Sequence, residues 1–431
     1  MSFIRWLRAQ ASRLFREDSP THVALGQLGS SALALISAPV VARLLGPEGR
    51  GETASVLAAF YIWPILSALG MQLEVRRAGA RDAGEAALRR ARVFIVLLLM
   101  PSAVIGWALS STVFGGLGET RVVAFIGLAL GPAMVWWMCD QSLLIARKRY
   151  RFVAVAQLVQ PVTYLACVLV GWSLGVVSVG FVLSAHIAAM VFTAVCTSIS
   201  VRVGLTGPRA RTGSFLASSL RYSGSSIADA AANRIDQFLA LPLLGAYQTG
   251  LYAVAATVGG LALPLGHALA ADSFNAVASA AGDEARRAVK LFQIRTAVAG
   301  ALLSGAALFA VTPALLPLIF GSEFEMAVVP ALITVWGGVG AIAAYVASLV
   351  LAAEGRGVEM TIAQVIRLAV SVGALYLFGS MWGAVGAAVA SALGSWVLCV
   401  AVVLRATGTP KAFLVRWSDF GAVVRRLARG S

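Results

Sequence analysis

Charge is scarce in this chain. Only 12% of its 431 residues are Asp, Glu, Lys or Arg, against about a quarter in an ordinary soluble domain. Acids are scarcest, 19 against 34 Lys and Arg, and the formal net charge is +15. Four cysteines, Cys139, Cys167, Cys196 and Cys399, all lie inside apolar runs and form no CxxC pair. Neither a disulfide framework nor a zinc site is indicated, and packed core thiols are expected. Three histidines, His22, His186 and His267, fall in three different apolar stretches without a spaced carboxylate. A metal site, a cofactor site or a catalytic cluster therefore has no starting point, and bundle histidines satisfied by their neighbours are expected. Long polar stretches are also missing, which leaves no room for a soluble catalytic domain and argues against an enzyme.

What the chain does have is apolar length. Apolar residues make up 59% of it and the mean hydropathy is +0.85. Runs near 20 residues recur throughout, each long enough to cross a hydrocarbon core about 30 Å thick. The pattern predicts an all-α polytopic membrane protein with spans near 22–43, 53–73, 93–113, 122–146, 152–171, 179–200, 222–244, 250–272, 291–312, 327–351, 358–379 and 385–405. With these spans, 29 of the 34 Lys and Arg fall on one side of the membrane. The other side has only Arg43, Arg50 and Arg121, while Arg234 and Arg367 lie within spans. Basic loops stay in the cytoplasm, so both termini are expected inside a cytoplasmic (inner) membrane and the span number is even. The positive charge is then a topology signal, and nucleic acid is not expected as a partner.

The tails fit a membrane surface. In residues 3–16, Phe3, Ile4, Leu7, Ala11, Leu14 and Phe15 share one side of a helical wheel, opposite Arg5, Arg8, Arg13 and Arg16. Near the C-terminus Phe413, Trp417, Phe420, Val424 and Leu427 stand opposite Arg425, Arg426 and Arg429. Both are expected to lie flat on the anionic inner leaflet, with a partner protein as the alternative occupant. The first stretch is too charged for a signal peptide and lacks a small-residue cleavage site, so the first span is expected to be retained. The expected organisation is an interfacial helix at 1–17, a six-helix bundle at 22–205, a cytoplasmic linker at 206–221, a second six-helix bundle at 222–405 and a basic amphipathic tail at 410–431.

The two halves echo each other. Leu44-Leu45-Gly46 followed by Gly51 has the spacing of Leu243-Leu244-Gly245 followed by Gly250. The last hairpins rhyme more loosely, Trp172 to Gly175 with Gly180 against Ser380 to Gly383 with Gly386. Two parallel six-span repeats are a transporter architecture with a site near the midplane. Residues 39–54, PVVARLLGPEGRGETA, resemble the first hairpin of the polysaccharide (Wzx-type) flippases. Residues 233–256, NRIDQFLALPLLGAYQTGLYAVAA, resemble that family's seventh span, an Asp followed by LLG and then G-x-Y-x-x-A. Ala353-Glu354-Gly355-Arg356 and the later GAVGAAVA at 383–390 resemble its closing pattern. The resemblance implies the multidrug/oligosaccharidyl-lipid/polysaccharide exporter superfamily, two bundles in a V, and alternating access. It also implies export of a polyprenyl-pyrophosphate-linked oligosaccharide for cell-surface polysaccharide, alongside a polysaccharide polymerase and glycosyltransferases. At Gln237 the chain departs from the pattern: many relatives have a basic residue close to the Asp, whereas here Arg234 precedes Asp236.

Ionisable side chains at bilayer depth are costly and usually face a wet cavity or a partner. In the seventh span Tyr222, Ser225, Ser226, Asp229, Asn233, Asp236 and Gln237 form a stripe about 120° wide, with Arg234 at its edge. Arg234 and Asp236 are expected about 18–21 Å from the cytoplasmic end. In the eleventh span Thr361, Gln364, Arg367 and Ser371 form a second stripe, with Arg367 about 14 Å deep. Two arginines at similar depth could bind a pyrophosphate, or each could bridge helices. Asp236 and Asp229 are candidates for coupling transport to a cation. Gln157, Gln160 and Tyr164 share one face of the fifth span, and Asp140 and Gln141 lie near the inner end of the fourth. These could meet sugar hydroxyls or form packing seams. A cation-coupled multidrug antiporter of the same fold would need carboxylates and aromatics with little basic charge. A membrane-embedded polymerase would need catalytic groups on outer loops, and the longest, 313–326, offers only Glu323 and Glu325.

Overall fold

A computed structural model describes Ser19, residues 21–270 and residues 273–429. The interfacial helix expected at 1–17 lies outside the described residues. So do the side chains of Tyr222, Ser225, Ser226, Asp229 and Asn233, and of the tail from Val424 onward. Among the described residues there is no strand, and the regular structure is helical. In chain order the α-helices are α1 (Thr21–Ala68), α2 (Met71–Gly79), α3 (Gly84–Leu97), α4 (Leu99–Thr112), α5 (Thr120–Ala129) and α6 (Pro132–Ala146). Then come α7 (Tyr150–Ser173), α8 (Val179–Val201), α9 (Thr212–Leu244), α10 (Ala246–Gly259), α11 (Leu263–Ala270) and α12 (Ser273–Ala278). The last are α13 (Asp283–Phe320), α14 (Val328–Ala353), α15 (Gly357–Ala374), α16 (Ser380–Trp382), α17 (Ala384–Thr407) and α18 (Trp417–Arg429).

Among the described residues nine helices are long and apolar enough to cross a membrane, or ten if α3 and α4, bent by 41° where they join, count as one span. The sequence predicts twelve, and the difference lies in two elements. α1 is 48 residues long, about 72 Å at 1.5 Å per residue, and breaks at Gly46, whose φ of 66° and ψ of −177° no helix contains. It therefore holds two of the expected spans in one element. The other is α9, whose serines and ionisable residues keep it out of the nine. It begins at Thr212, ten residues ahead of the expected span.

The chain divides into two compact units, Met1–Leu45 with Val56–Ala230, and Gly46–Ser55 with Ala231–Ser431. In the first, a buried core of Val75, Leu88, Ala91, Val135, Leu143, Leu144 and Phe215 joins α2, α3, α6 and the start of α9. One end of this unit gathers three of the basic connections. Arg92 Nη1 donates to the Val203 carbonyl at 2.6 Å, Arg90 Nε to Ala210 at 2.8 Å, Arg147 Nη1 to Val201 at 2.9 Å and Arg149 Nη1 to Ser200 at 3.0 Å. The last carbonyls of a helix have no partner within it; Arg147 and Arg149 satisfy those at the end of α8, and Arg92 and Arg90 tie down the connection that follows it. Topology alone accounts for the sign of this charge but not for this use of it.

In the second unit α14 lies against α13, α17 and α10. Glycines permit the approach: a Cβ on Gly337 would press on the Ala392 backbone, and one on Gly338 on the Gly259 carbonyl. At one end an ion lattice joins three connections. Lys290 meets Glu354 at 2.7 Å, Arg356 meets Glu354 at 3.3 Å and Glu359 at 2.6 Å, and Arg405 meets Glu359 at 3.0 Å. Burial alone would push the Glu354 carboxyl up, but Lys290 and Arg356 outweigh it and hold the group below its ordinary value. The C-terminal helix α18 docks beside this lattice. Its Val423 and Phe420 pack with Leu269, Ala299 and Leu265, and Asp419 pairs with Arg295 at 2.6 Å. The expected surface tail is thus tied to α13 on one face.

The opposite end of this unit holds the glycine turns of both LLG echoes, Gly46 to Gly51 and Gly245 to Gly250. Gly245 has φ 78° and ψ 168°, nearly the backbone of Gly46. A Cβ on Gly51 would collide with the Ala246 carbonyl, and one on Gly250 with the Pro47 carbonyl. The two stretches therefore turn alike and pack against each other.

Candidate functional site

In the second unit four helices bring polar side chains together inside the apolar region. α9 contributes Asp236, about 12 Å from its Leu244 end. One carboxylate oxygen, Oδ1, accepts the backbone N–H of Gln237 at 2.8 Å. The other, Oδ2, accepts a short hydrogen bond from the Tyr252 hydroxyl of α10. Tyr252 is fully buried, lies beside Ser391 of α17, and is within electrostatic reach of Arg367 of α15. One turn along, a Cβ on Gly394 would meet the Ser371 hydroxyl and the Arg367 carbonyl, so α15 runs close against α17. A carboxylate, a phenol, a hydroxyl and a guanidinium are thus gathered in one unit. Gln364, one turn from Arg367, has a buried Oε1 without a hydrogen-bond partner.

Arg234 is exposed, and its Nη1 donates to Gln237 Oε1 at 3.2 Å. On an ideal wheel Arg234 and Asp236 stand about 160° apart, and the carboxylate is instead held by α10. Asp229 and Asn233, expected beside Asp236, lie among the side chains outside the description.

In the first unit the structure separates what the sequence grouped. Gln160 and Tyr164 of α7 meet His186 of α8. Gln160 Nε2 lies 3.4 Å from His186 Nε2, and Tyr164 stands edge-on to the imidazole at 5.6 Å between ring centres. Tyr61 of α1 makes a matching contact at 5.6 Å, with Phe60 at 6.3 Å. Gln157 instead lies against Gly26 of α1. Asp140 is fully buried, pairs with Arg92 at 2.9 Å and accepts from Ser198 at 2.8 Å. Trp136 completes that cluster, over the Arg92 guanidinium at 5.1 Å and donating to Ser198 at 2.7 Å. Asp140 thereby joins α3, α6 and α8.

Sequence reasoning missed Tyr252, Ser391, Tyr61 and the setting of His186. The Tyr of the G-x-Y-x-x-A run was the one available signal. Among the described residues no group of three or more His, Cys, Asp or Glu could hold a metal ion.

Over residues 21–265, more than half its length, the chain matches the family described as Polysaccharide biosynthesis protein. It belongs to that family. Comparison with curated protein sequences finds no match. Among solved structures, this polysaccharide biosynthesis protein is similar to the lipid II flippase MurJ in an inward closed conformation. The two are 12% identical, with a TM-score of 0.73, covering 94% of this chain and 90% of that one. It is also similar to an inward-facing multidrug resistance MATE family transporter of the MOP superfamily, at 16% identity and a TM-score of 0.69, covering 93% and 96%. A further MATE structure, in the straight conformation, matches at 16% identity and a TM-score of 0.59, covering 96% of each chain. At these identities the likeness is one of fold. Family and fold together describe a multi-pass membrane protein of polysaccharide biosynthesis that shares the helical fold of these transporters.

Proposed function

We propose that this protein flips a polyprenyl-pyrophosphate-linked oligosaccharide across the cytoplasmic membrane by alternating access, supplying cell-surface polysaccharide synthesis. On this reading the chain has twelve spans in two six-helix bundles, with both termini in the cytoplasm beside the glycosyltransferases and polymerase it serves. The observation that carries the proposal is Arg367, a guanidinium inside the apolar region and within electrostatic reach of the Tyr252 that holds Asp236. A pyrophosphate loses its hydration on crossing, and a guanidinium replaces it with bidentate, charge-assisted hydrogen bonds. Arg234 is the second basic contact. Gln364, Gln237, Asn233, Gln157, Gln160 and Tyr164 are the candidates for sugar hydroxyls, and Asp236 with Asp229 for cation coupling. A drug antiporter of the same fold has little use for two arginines at this depth.

The test is polymer export in cells carrying Arg367→Ala, Arg367→Lys and Arg234→Ala at normal membrane levels. The Ala variants are expected to lose export, and Lys at 367 to restore part of it. Export equal to the parent from both Ala variants would remove the basic site from the mechanism.

A further inference from the structure

α13 is charged from Asp283 to Arg295 and apolar from Thr296 to Phe320. Arg295 is the last charge before a run of 25 residues, about 37 Å of helix, so it stands at the edge of the hydrocarbon. There α13, α18 and the residues just before α18 flank an open cavity of about 400 Å³, whose lining includes Phe292, Arg295, Arg416 and Asp419.

The charges in this cavity are unequal. Asp419 is buried, and its Oδ2 accepts both Arg295 Nη2 at 2.6 Å and the backbone N–H of Arg416 at 2.8 Å. Arg295 Nε is buried without a hydrogen-bond partner. The Arg416 side chain is exposed and makes no ion pair among the described residues. The cavity therefore keeps one positive charge and a spare donor after its internal pair is counted. Around it the apolar surface is bare: Trp417 is 90% exposed, Leu414 69% and Phe292 44%. A Trp is stable at headgroup level, where an apolar ring and a polar edge are both satisfied.

We propose that this cavity seats an anionic phospholipid, its phosphate between Arg295 and Arg416 and its upper acyl chain along Phe292 and Trp417. Charge complementarity selects an anion, and the apolar rim selects a lipid over a free ion. The seat holds α18 against α13 and is separate from the Arg367 site.

The full-length protein in detergent is presented with phosphatidylglycerol, phosphatidylcholine or inorganic phosphate, and bound lipid is counted by native mass spectrometry. One phosphatidylglycerol should be retained in preference to phosphatidylcholine, and millimolar inorganic phosphate should not displace it. Arg416→Ala, at an exposed position, combined with Arg295→Lys, which keeps a cation for Asp419 but removes Nε, should weaken retention about tenfold. Arg81→Ala, an exposed charge in the other unit, should leave it unchanged. The thermal midpoint of each variant, measured without lipid, separates loss of the seat from loss of the fold. Equal retention of both lipids, or unchanged phosphatidylglycerol binding in the double variant, overturns the proposal. Displacement by phosphate alone would make the seat one for a free anion, and no retained lipid in the parent would leave the face to a protein; either result also overturns it.

Discussion

Asp236 shows how much of a membrane site a single side chain reveals. An acid in an apolar span signals a cost that something must offset, and this is legible in the sequence. What offsets it is not, because Tyr252 and Ser391 come from helices 16 and 155 positions further on and look like ordinary bundle residues in their own runs. Arg367 is visible for the same reason as Asp236, whereas the cage around His186 is hidden for the same reason as Tyr252. The carboxylate has two roles that substitution can separate. Tyr252→Phe removes one hydrogen bond to it and should cost about 2 kcal/mol of stability, read as a lower unfolding midpoint in detergent. Asp236→Asn keeps the size and an acceptor for the Tyr252 hydroxyl while removing the charge. If the carboxylate couples transport to a cation, that variant reconstituted in vesicles loses its response to an imposed proton or sodium gradient. An unchanged response with a lowered midpoint would assign Asp236 to joining α9 and α10.

At the scale of elements, glycine sets the corners. Gly46 and Gly245 share a left-handed φ that lets one helix stop and the next begin at once. Five residues on in each case, Gly250 and Gly51 let the two helix starts touch, with the Pro47 and Ala246 carbonyls where side chains would stand. The repeat LLG-x4-G is therefore a shape: a turn followed by a bare spot for its counterpart. This much was legible, because a spacing repeated in both halves is a sequence property. The docking of α18 was not, because its amphipathic pattern suits a leaflet and a helix surface equally; Asp419 pairing with Arg295 decides for the helix on that face. Gly250→Ala should be costly, since its methyl meets rigid backbone. Overpacking of this kind costs about 1–3 kcal/mol, and the expected result is a lower unfolding midpoint. Gly116→Ala, with open space around it, should have no such effect. Equal midpoints for the two variants would mean that the helix starts separate freely.

For the whole molecule, the ordering principle is the sorting of charge. Within the first unit the 74–92, 147–151 and 201–211 connections meet through arginine-to-carbonyl bonds. Within the second unit the 273–295 and 352–357 connections and the C-terminal tail meet through ion pairs. Connections given to one side by charge alone are thus brought to one end in each unit, which an arbitrary assignment of spans would not produce. With the even span number of the proposed reading, the positive-inside rule turns the basic ends toward the cytoplasm. Surface cysteines test the orientation directly, because the four native thiols lie in apolar helices and are buried or half-buried. Gly116→Cys lies on the connection between α4 and α5, and Gly213→Cys at the start of α9, both with open surroundings. In sealed right-side-out vesicles a membrane-impermeant maleimide should label Gly116→Cys at once and Gly213→Cys only after the membrane is opened. The reverse pattern would put 29 basic residues on the outer face against the rule, and the pyrophosphate site would then have to be loaded from the wrong side.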